Sequence, residues 1–329
     1  MKLKGKKVLV TGAGGFIGSH LAEQLVHASA KVSVFLHYNS RLDRGLLEYL
    51  PKETFKEIEI FWGDLRDPDS VRNAVKPQEV VFNLAAHIAI PYSYINPLDV
   101  IQTNVIGSTH VLGACREFGI QKVVQTSTSE TYGTALTVPI NEQHPVQGQS
   151  PYAASKIASD QIAESYYLSF GLPVAILRPF NTYGPRQSAR AIIPTIISQA
   201  LTQEKIKLGS LSPKRDFTFV LDTAEGFIKC AESEKTIGQA TNIGNNSEIT
   251  IGELVKTIQS ILGINKEIIT EDKRIRPEKS EVQRLLCDYS KAKSNMDWEP
   301  KYSLEQGLKI TIDWIKKNIG KYKPEIYNI

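Results

Sequence analysis

The eight residues Thr11-Gly12-Ala13-Gly14-Gly15-Phe16-Ile17-Gly18 constrain this chain more than any other stretch. A β-rich apolar run over residues 7–11 leads into them, and a helix-like pattern over residues 16–28 follows. Glycines at 12, 15 and 18 suit a strand that turns sharply into a helix. The first permits the tight turn, the second lets backbone N–H groups approach a bound anion, and the third lets the helix pack closely on the strand. The turn is therefore expected to hold the pyrophosphate of a dinucleotide at Gly12, Gly15 and Gly18. The plainer alternative is a tight turn without a ligand.

The rest of the first half repeats the same rhythm. Short apolar runs at residues 32–36, 58–62, 80–84, 123–126 and 174–177 alternate with helical patterns near 68–75, 98–118 and 152–170. Such alternation predicts a parallel sheet with both faces covered. After Pro179 the rhythm breaks into turn-rich pieces and shorter helices. The expected fold is α/β: a Rossmann-type doubly wound parallel sheet with a smaller C-terminal α/β lobe laid against the carboxyl ends of the strands. The expected division is 1–180 for the NAD(P)-binding domain and 181–329 mainly for substrate, with some segments returning to the first domain. A length of 329 residues fits two lobes at roughly 150 residues each.

Charge and composition narrow the partners. The net charge is +4, and its 39 basic residues are spread along the chain rather than massed, so nucleic acid is not expected as a partner. The basic start, Met1-Lys2-Leu3-Lys4, is followed by too short an apolar run for a secretory signal, and no stretch is long enough for a membrane span. A cytoplasmic protein without membrane contact is expected. Cys115, Cys230 and Cys287 are far apart, and the six histidines lack metal-ligand spacing, so neither disulfides nor a metal site are expected.

At the end of the second strand, where a ribose-binding carboxylate is usual in such folds, the chain reads Phe35-Leu36-His37-Tyr38-Asn39-Ser40-Arg41, with no acid before Asp43. An acid would repel a 2′-phosphate, whereas His37 and Arg41 would tolerate one. The cofactor is thus NADP or NAD, with NADP favoured; alternatively His37 and Arg41 are solvated loop residues. Further on, Tyr152-Ala153-Ala154-Ser155-Lys156 begins a helix and sets Tyr152 and Lys156 one turn apart on one face. A lysine cation beside a phenol lowers its pKa from about 10, making a base for a hydroxyl proton. Thr128, just past the fifth strand, joins them. His87, after the fourth strand, either lines the site or is a packed imidazole; Ser93 and Tyr94 are candidates to reach a substrate.

With these pieces in place the sequence resembles the extended short-chain dehydrogenase/reductase superfamily, and within it the nucleotide-sugar epimerases and dehydratases. The resemblance runs through Gly63-Asp64-Leu65-Arg66-Asp67, Asn83-Leu84-Ala85-Ala86, Asn104-Val105-Ile106-Gly107, Arg178-Pro179-Phe180-Asn181, Arg215-Asp216-Phe217 and Trp298-Glu299-Pro300. It implies Asp64 and Leu65 at the adenine, Phe16 and Ile17 at the pyrophosphate through their backbone, and Ala85 and Ala86 at the cofactor together with Tyr152 and Lys156. It implies that Asn181, Arg215 and Arg276 hold the diphosphate of a nucleotide sugar, with Ser93 and Thr128 at the sugar. A homodimer through the two helical stretches 98–118 and 152–170 is implied as well.

Within the family the choice of reaction turns on Thr128-Ser129-Glu130. A simple 4-epimerase needs only Tyr152 and a hydroxyl residue. Glu130 adds a base for C5–H once C4 is a ketone, after which the C6 hydroxyl can leave. The resemblance therefore implies a 4,6-dehydratase with Thr128, Glu130, Tyr152 and Lys156 as catalytic residues. Dehydratases of dTDP-glucose carry Asp-Glu where this chain has Ser129-Glu130, leaving open whether hydride returns to C6 or to C4, the latter giving a 5,6-ene. The runs 147–152 and 181–190 look most like dehydratases of UDP- or GDP-linked N-acetylglucosamine from bacterial legionaminic and pseudaminic acid pathways. A 4-epimerase, a UDP-glucuronate-type decarboxylase and a non-catalytic dinucleotide-sensing protein are the alternatives.

Overall fold

The computed structural model describes residues 1–326. Seven strands form one parallel sheet: β1 (Lys7–Thr11), β2 (Lys31–His37), β3 (Ile58–Gly63), β4 (Val80–Asn83), β5 (Lys122–Thr126), β6 (Val174–Pro179) and, from far along the chain, a strand at Ala240–Ile243. Across the sheet their order is β3, β2, β1, β4, β5, β6 and then Ala240–Ile243. The interior strand β1 pairs Val8 with Val32 on one side and with Val80 on the other. The order reverses there, and open α/β sheets leave a ligand crevice at such a point.

Strand alternation sends alternate side chains to opposite faces, and both faces are buried. Val8 and Val10 pack with Leu21, Leu25, Val34, Phe82, Phe227 and Trp298 on one side. Leu9 and Val81 pack with Val111, Leu112, Val123 and Ala163 on the other. The helix Val220–Glu232, which supplies Phe227, lies beyond the first half of the chain, as does the edge strand Ala240–Ile243.

The smaller lobe holds β7 (Asn181–Tyr183), β8 (Ile206–Leu208) and β9 (Lys214–Phe219), with further short strands at Glu248–Thr250 and Ile268–Thr270. β9 lies between β7 and Glu248–Thr250, while β8 pairs with Ile268–Thr270. Its core joins Ile193, Ile196 and Ile197 of one helix to Leu254, Val255 and Ile258 of a second and Leu308, Ile312 and Ile315 of a third.

The predicted helix over 98–118 is broken. It runs as Pro97–Ile101, a wider π-turn at Gln102–Ile106, and Gly107–Glu117. The turn contains buried Asn104, whose amide donates to His87 O at 2.9 Å and Ser155 Oγ at 2.9 Å while its oxygen accepts from His87 N at 2.7 Å. Π-turns often mark functional sites, and this one clamps the segment after β4.

Phe227 has no exposed surface and belongs to the second half of the chain while packing under the first. Phe227→Ala is expected to lower the stability of the whole protein by about 3–5 kcal/mol in urea unfolding. A loss below about 1 kcal/mol would show that this helix is not part of the sheet's core.

Candidate active site

At the end of β1 the backbone leaves no room for side chains. Gly12 has φ +71°, and a Cβ there would lie 2.8 Å from Ala85 Cα. At Gly18 a Cβ would lie 2.3 Å from Gly12 O, and at Gly15 3.1 Å from the same oxygen. The helix Phe16–His27 begins at Gly15 with no side chain capping it. Its first N–H groups therefore point into the crevice, a ready seat for a pyrophosphate. Thr11 ties the crevice together: its hydroxyl donates to Asn83 Oδ1 at 2.8 Å and accepts from Leu84 N at 3.0 Å and Ala85 N at 3.1 Å. These features fit a dinucleotide.

Farther along the rim, Asp64 Oδ2 lies 2.6 Å from Arg66 Nη2 and 3.4 Å from His37 Nε2. The Arg66 hydrogen bonds hold the Asp64 carboxyl down at about 2. His37 lines the cleft, but Arg41 is exposed and lies outside its wall. The two side chains thus do not gather into a phosphate pocket: His37 leans on a carboxylate, and the Arg41 loop is turned by Asn39, whose side-chain oxygen accepts from Arg41 N at 3.2 Å.

The helix Pro151–Phe170 carries the next set of groups. Ser150 caps it by accepting from Ala153 N, Pro151 occupies the first turn, and Gly171 ends it in the left-handed conformation. Tyr152 and Lys156 are both buried on the face turned to β5. Tyr152 is hydrogen-bonded to the Thr128 side chain, and Lys156 Nζ donates to Thr126 O. Burial pushes the Lys156 pKa down to about 8, with the Asp160 carboxylate opposing the fall. For Tyr152 burial dominates and raises the phenol above its ordinary value; the Thr128 hydrogen bond opposes this, and the Glu130 and Asp160 charges add to it. The lowering of that pKa expected from Lys156 is not what the site shows, because the ring is enclosed.

Beyond Thr128 a single 3₁₀ turn, Ser129–Tyr132, places Glu130 in the wall of the cleft. Across from it, Arg215 is buried; burial favours loss of its proton, and the Glu130 and Glu281 charges hold it. Arg215 Nη2 lies 2.9 Å from Glu281 Oε1, and Arg276 Nη1 lies 3.6 Å from the same oxygen. Among the described residues, the buried atoms Arg276 Nη1 and Asn181 Oδ1 have no hydrogen-bond partner. Unsatisfied groups of this kind are costly unless something fills the site. All three lie in the wall of one cleft of about 1500 Å³ that also reaches Gly12, Thr128 and Tyr152.

Phe16, Ile17, Leu65, Ala85, Ala86 and His87 line the same cleft. His87 Nε2 stands 3.0 Å from Asp99 Oδ2. Ser93 does not join them: it is fully buried, donates to Ile90 O at 2.7 Å, and lies outside the wall. Tyr94 is likewise turned aside, its hydroxyl 2.6 Å from Ser280 Oγ. Two residues escaped the sequence reasoning. Glu281 bridges the two arginines from a loop that no periodicity marks. Asp160, one turn beyond Lys156 on the same helix, was there to be found by spacing alone.

Residues 9–311 match the family model described as GDP-mannose 4,6 dehydratase. The mouse dTDP-D-glucose 4,6-dehydratase is 31% identical over 328 residues, covering 97% of this chain and 91% of that protein. Among solved structures, the UDP-N-acetylglucosamine 4-epimerase from Methanobrevibacter ruminantium M1, in complex with UDP-N-acetylmuramic acid, is 31% identical with a TM-score of 0.87, covering 96% of this chain and 99% of that one. The dTDP-glucose 4,6-dehydratase of Bacillus anthracis, in complex with NAD, is 30% identical with a TM-score of 0.85, covering 97% and 99%. TunA, described as an NAD-dependent NDP-hexosamine 5,6-dehydratase of tunicamycin biosynthesis, is 26% identical with a TM-score of 0.83, covering 95% and 98%.

A methyl group at Gly18 would have to displace the Gly12 carbonyl and with it the turn. Gly18→Ala is expected to weaken dinucleotide binding at least ~10-fold, which corresponds to about 1.4 kcal/mol. Calorimetric titration with NAD and NADP measures it; unchanged affinity would place the dinucleotide elsewhere.

Proposed function

Because the chain belongs to the GDP-mannose 4,6-dehydratase family of extended short-chain dehydrogenases/reductases, we propose that it is a 4,6-dehydratase of UDP- or GDP-linked N-acetylglucosamine. Glu130 carries this reading. It sets a carboxylate in the cleft wall, beside the Tyr152–Thr128 pair and facing Arg215. Epimerisation at C4 has no use for such a group, whereas removal of a proton from C5 requires one.

In this reading Arg215 and Arg276 meet the nucleotide diphosphate with planar guanidinium groups that match phosphate oxygens, and Asn181 lends a polar contact. Thr128 and Tyr152 converge on the C4 hydroxyl, and Tyr152 takes its proton. Lys156 supplies the positive charge that favours the phenolate. Gly12, Gly15, Phe16, Ile17, Gly18, Asp64, Leu65, Ala85 and Ala86 hold the dinucleotide. When bound, that dinucleotide supplies an electron-pair acceptor that is regenerated within each cycle. Glu130 then takes the C5 proton and passes it to the C6 hydroxyl, whose C–O bond breaks as water leaves.

We take the cofactor to be NAD rather than the NADP favoured by the sequence. The exposed Arg41 outside the cleft wall and the pairing of His37 with Asp64 support this, as does the NAD complex of the Bacillus anthracis enzyme. A homodimer and a cytoplasmic location go with the reading. Leu98, Ile101 and Ile106 are exposed large apolar side chains in the stretch expected to pair with a second copy. Sedimentation at twice 36.6 kDa is expected, with Leu98→Asp shifting it towards the monomer; a wild-type monomer would refute the dimer. Epimerisation at C4 remains a second reading, favoured by the likeness to the Methanobrevibacter epimerase.

Incubation with UDP- and GDP-N-acetylglucosamine in deuterated water separates these reactions. Dehydration removes the mass of water; a 4-keto-6-deoxy product then carries solvent deuterium at C5, whereas a 5,6-ene carries none. Unchanged connectivity with inversion at C4 would mean epimerisation, and nuclear magnetic resonance of the product distinguishes a 4-keto-6-deoxy sugar from a 5,6-ene. Glu130→Gln is expected to retain C4 oxidation and lose elimination by roughly 10²–10⁴-fold, the usual worth of a positioned base. Near-normal water loss in that variant would assign the base to another group.

A further inference from the structure

The register of the sheet brings one arginine to the place where two arms of the cleft meet. β6 pairs Leu177 with Thr126 of β5 on one side, and Arg178 with Asn242 on the other. Arg178 is therefore level with Ser127, the first residue beyond β5, and it is buried there. Its guanidinium reaches both arms. Nε at 3.2 Å and Nη2 at 3.0 Å donate to Asp160 Oδ2, on the helix Pro151–Phe170. Nη1 donates at 3.0 Å to the Tyr132 hydroxyl, on the 3₁₀ turn Ser129–Tyr132.

Both partners are themselves held. The Tyr132 hydroxyl donates onward to Asn242 Oδ1 at 2.8 Å, and the Arg178 guanidinium carbon stands 5.1 Å from the centre of the Tyr132 ring. That ring meets His144 edge-on at 5.6 Å. On the helix side, Ser127 Oγ donates to the same Asp160 oxygen at 2.6 Å. The two arms differ in stiffness. The helix runs for 20 residues between a serine cap and a glycine cap. The turn is a single 3₁₀ turn whose backbone bonds, Thr131 N to Thr128 O and Gly133 N to Glu130 O, are each 3.3 Å long, and such turns have poor hydrogen-bond geometry. Loosening the link at Arg178 therefore moves the turn before it moves the helix.

We propose that Arg178 is a positioning residue that spans the two arms, gripping the helix of Tyr152 and Lys156 through Asp160 and the turn of Glu130 through Tyr132, and so fixes how far apart the two bases stand. This rests on the reading of Tyr152 as the base at the C4 hydroxyl and Glu130 as the base at C5. Those two protons belong to neighbouring positions of one rigid ring, so a sugar cannot shift towards one base without leaving the other. Misplacement by about 1 Å costs on the order of 10²-fold in rate. Arginine suits the task because its planar fork serves two partners in fixed directions, whereas a lysine ammonium keeps the charge and loses the fork.

Two variants test this in the full-length protein. Arg178→Lys retains the charge, and Tyr132→Phe retains the ring and removes only the hydroxyl. Amide hydrogen exchange is read first, without substrate. In both variants the peptide holding residues 129–133 is expected to exchange at least ~10-fold faster, which corresponds to about 1.4 kcal/mol. Peptides of the helix beyond its first turn are expected to stay within about twofold (about 0.4 kcal/mol). With UDP- or GDP-N-acetylglucosamine, KM is expected within about twofold of wild type and C4 oxidation is expected to persist, so that reduced dinucleotide accumulates. Water loss is expected to fall roughly 10²-fold. The double variant is expected to be no worse than the weaker single one, because both changes cut one link. Faster exchange throughout the protein would make Arg178 a general stabiliser and overturn the proposal, as would an unchanged turn in a folded variant. Equal losses of C4 oxidation and water loss would put the damage at Tyr152 and overturn it as well. If Arg178→Lys does not fold, Tyr132→Phe carries both readouts. If the wild type removes no water from either sugar, the dehydratase reading fails, and the exchange comparison still decides whether Arg178 holds the turn.

Discussion

The reversal of strand order beside β1 governs the rest of the molecule. Helices that cover a parallel sheet must leave opposite faces on the two sides of such a point, and the gap between them opens at the carboxyl ends of the strands. Thr11 fixes the gap by bonding the segment after β4 to the end of β1, so Gly12 and Ala85 touch across it. The groups proposed for chemistry gather at this edge: Thr128 and Glu130 follow β5, Tyr152 and Lys156 open the helix Pro151–Phe170, Asn181 follows β6, and Arg215 arrives on β9 from the lobe laid above.

The two halves of the cleft differ in how they treat charge. On the dinucleotide side the protein offers mainly backbone dipoles and a carboxylate held ionised by Arg66. On the other side it alternates Glu130, Arg215, Glu281 and Arg276, with both arginines within ion-pair distance of a single Glu281 oxygen. A site proposed to receive a diphosphate needs cations, yet bare cations would repel one another in a half-enclosed space. Glu281 lets them stand close. The arrangement is one of mutual restraint, and a doubly charged ligand can enter it by competing for the guanidinium groups.

What could be read from the sequence was local. The glycine spacing, the capped start at Ser150 and the four-residue step from Tyr152 to Lys156 are properties of short segments, and they hold wherever those segments sit. The positions of the first six strands followed from apolar rhythm, but not their order in the sheet. Burial was harder to foresee, because it depends on what packs from elsewhere. Ser93 turned inward to bond Ile90, Arg41 swung out of the cleft, and Tyr152 is more enclosed than a helix start suggests. The short strands of the smaller lobe, four of them only three residues long (β7, β8, Glu248–Thr250 and Ile268–Thr270), carry too little pattern to stand out. The π-turn at Asn104 exists for a partner 17 residues earlier and another 51 residues later.

The strand Ala240–Ile243 closes the edge of the sheet beside β6, and Trp298 seals the face beneath it from still farther along. During synthesis the first six strands leave the ribosome before their outermost neighbour exists, and before the indole that plugs their underside. The dinucleotide half of the molecule is therefore an unfinished shell until residue 298 has emerged. Its folding is tied to late-arriving parts, and the two lobes cannot be dealt out to separate genes by a single cut.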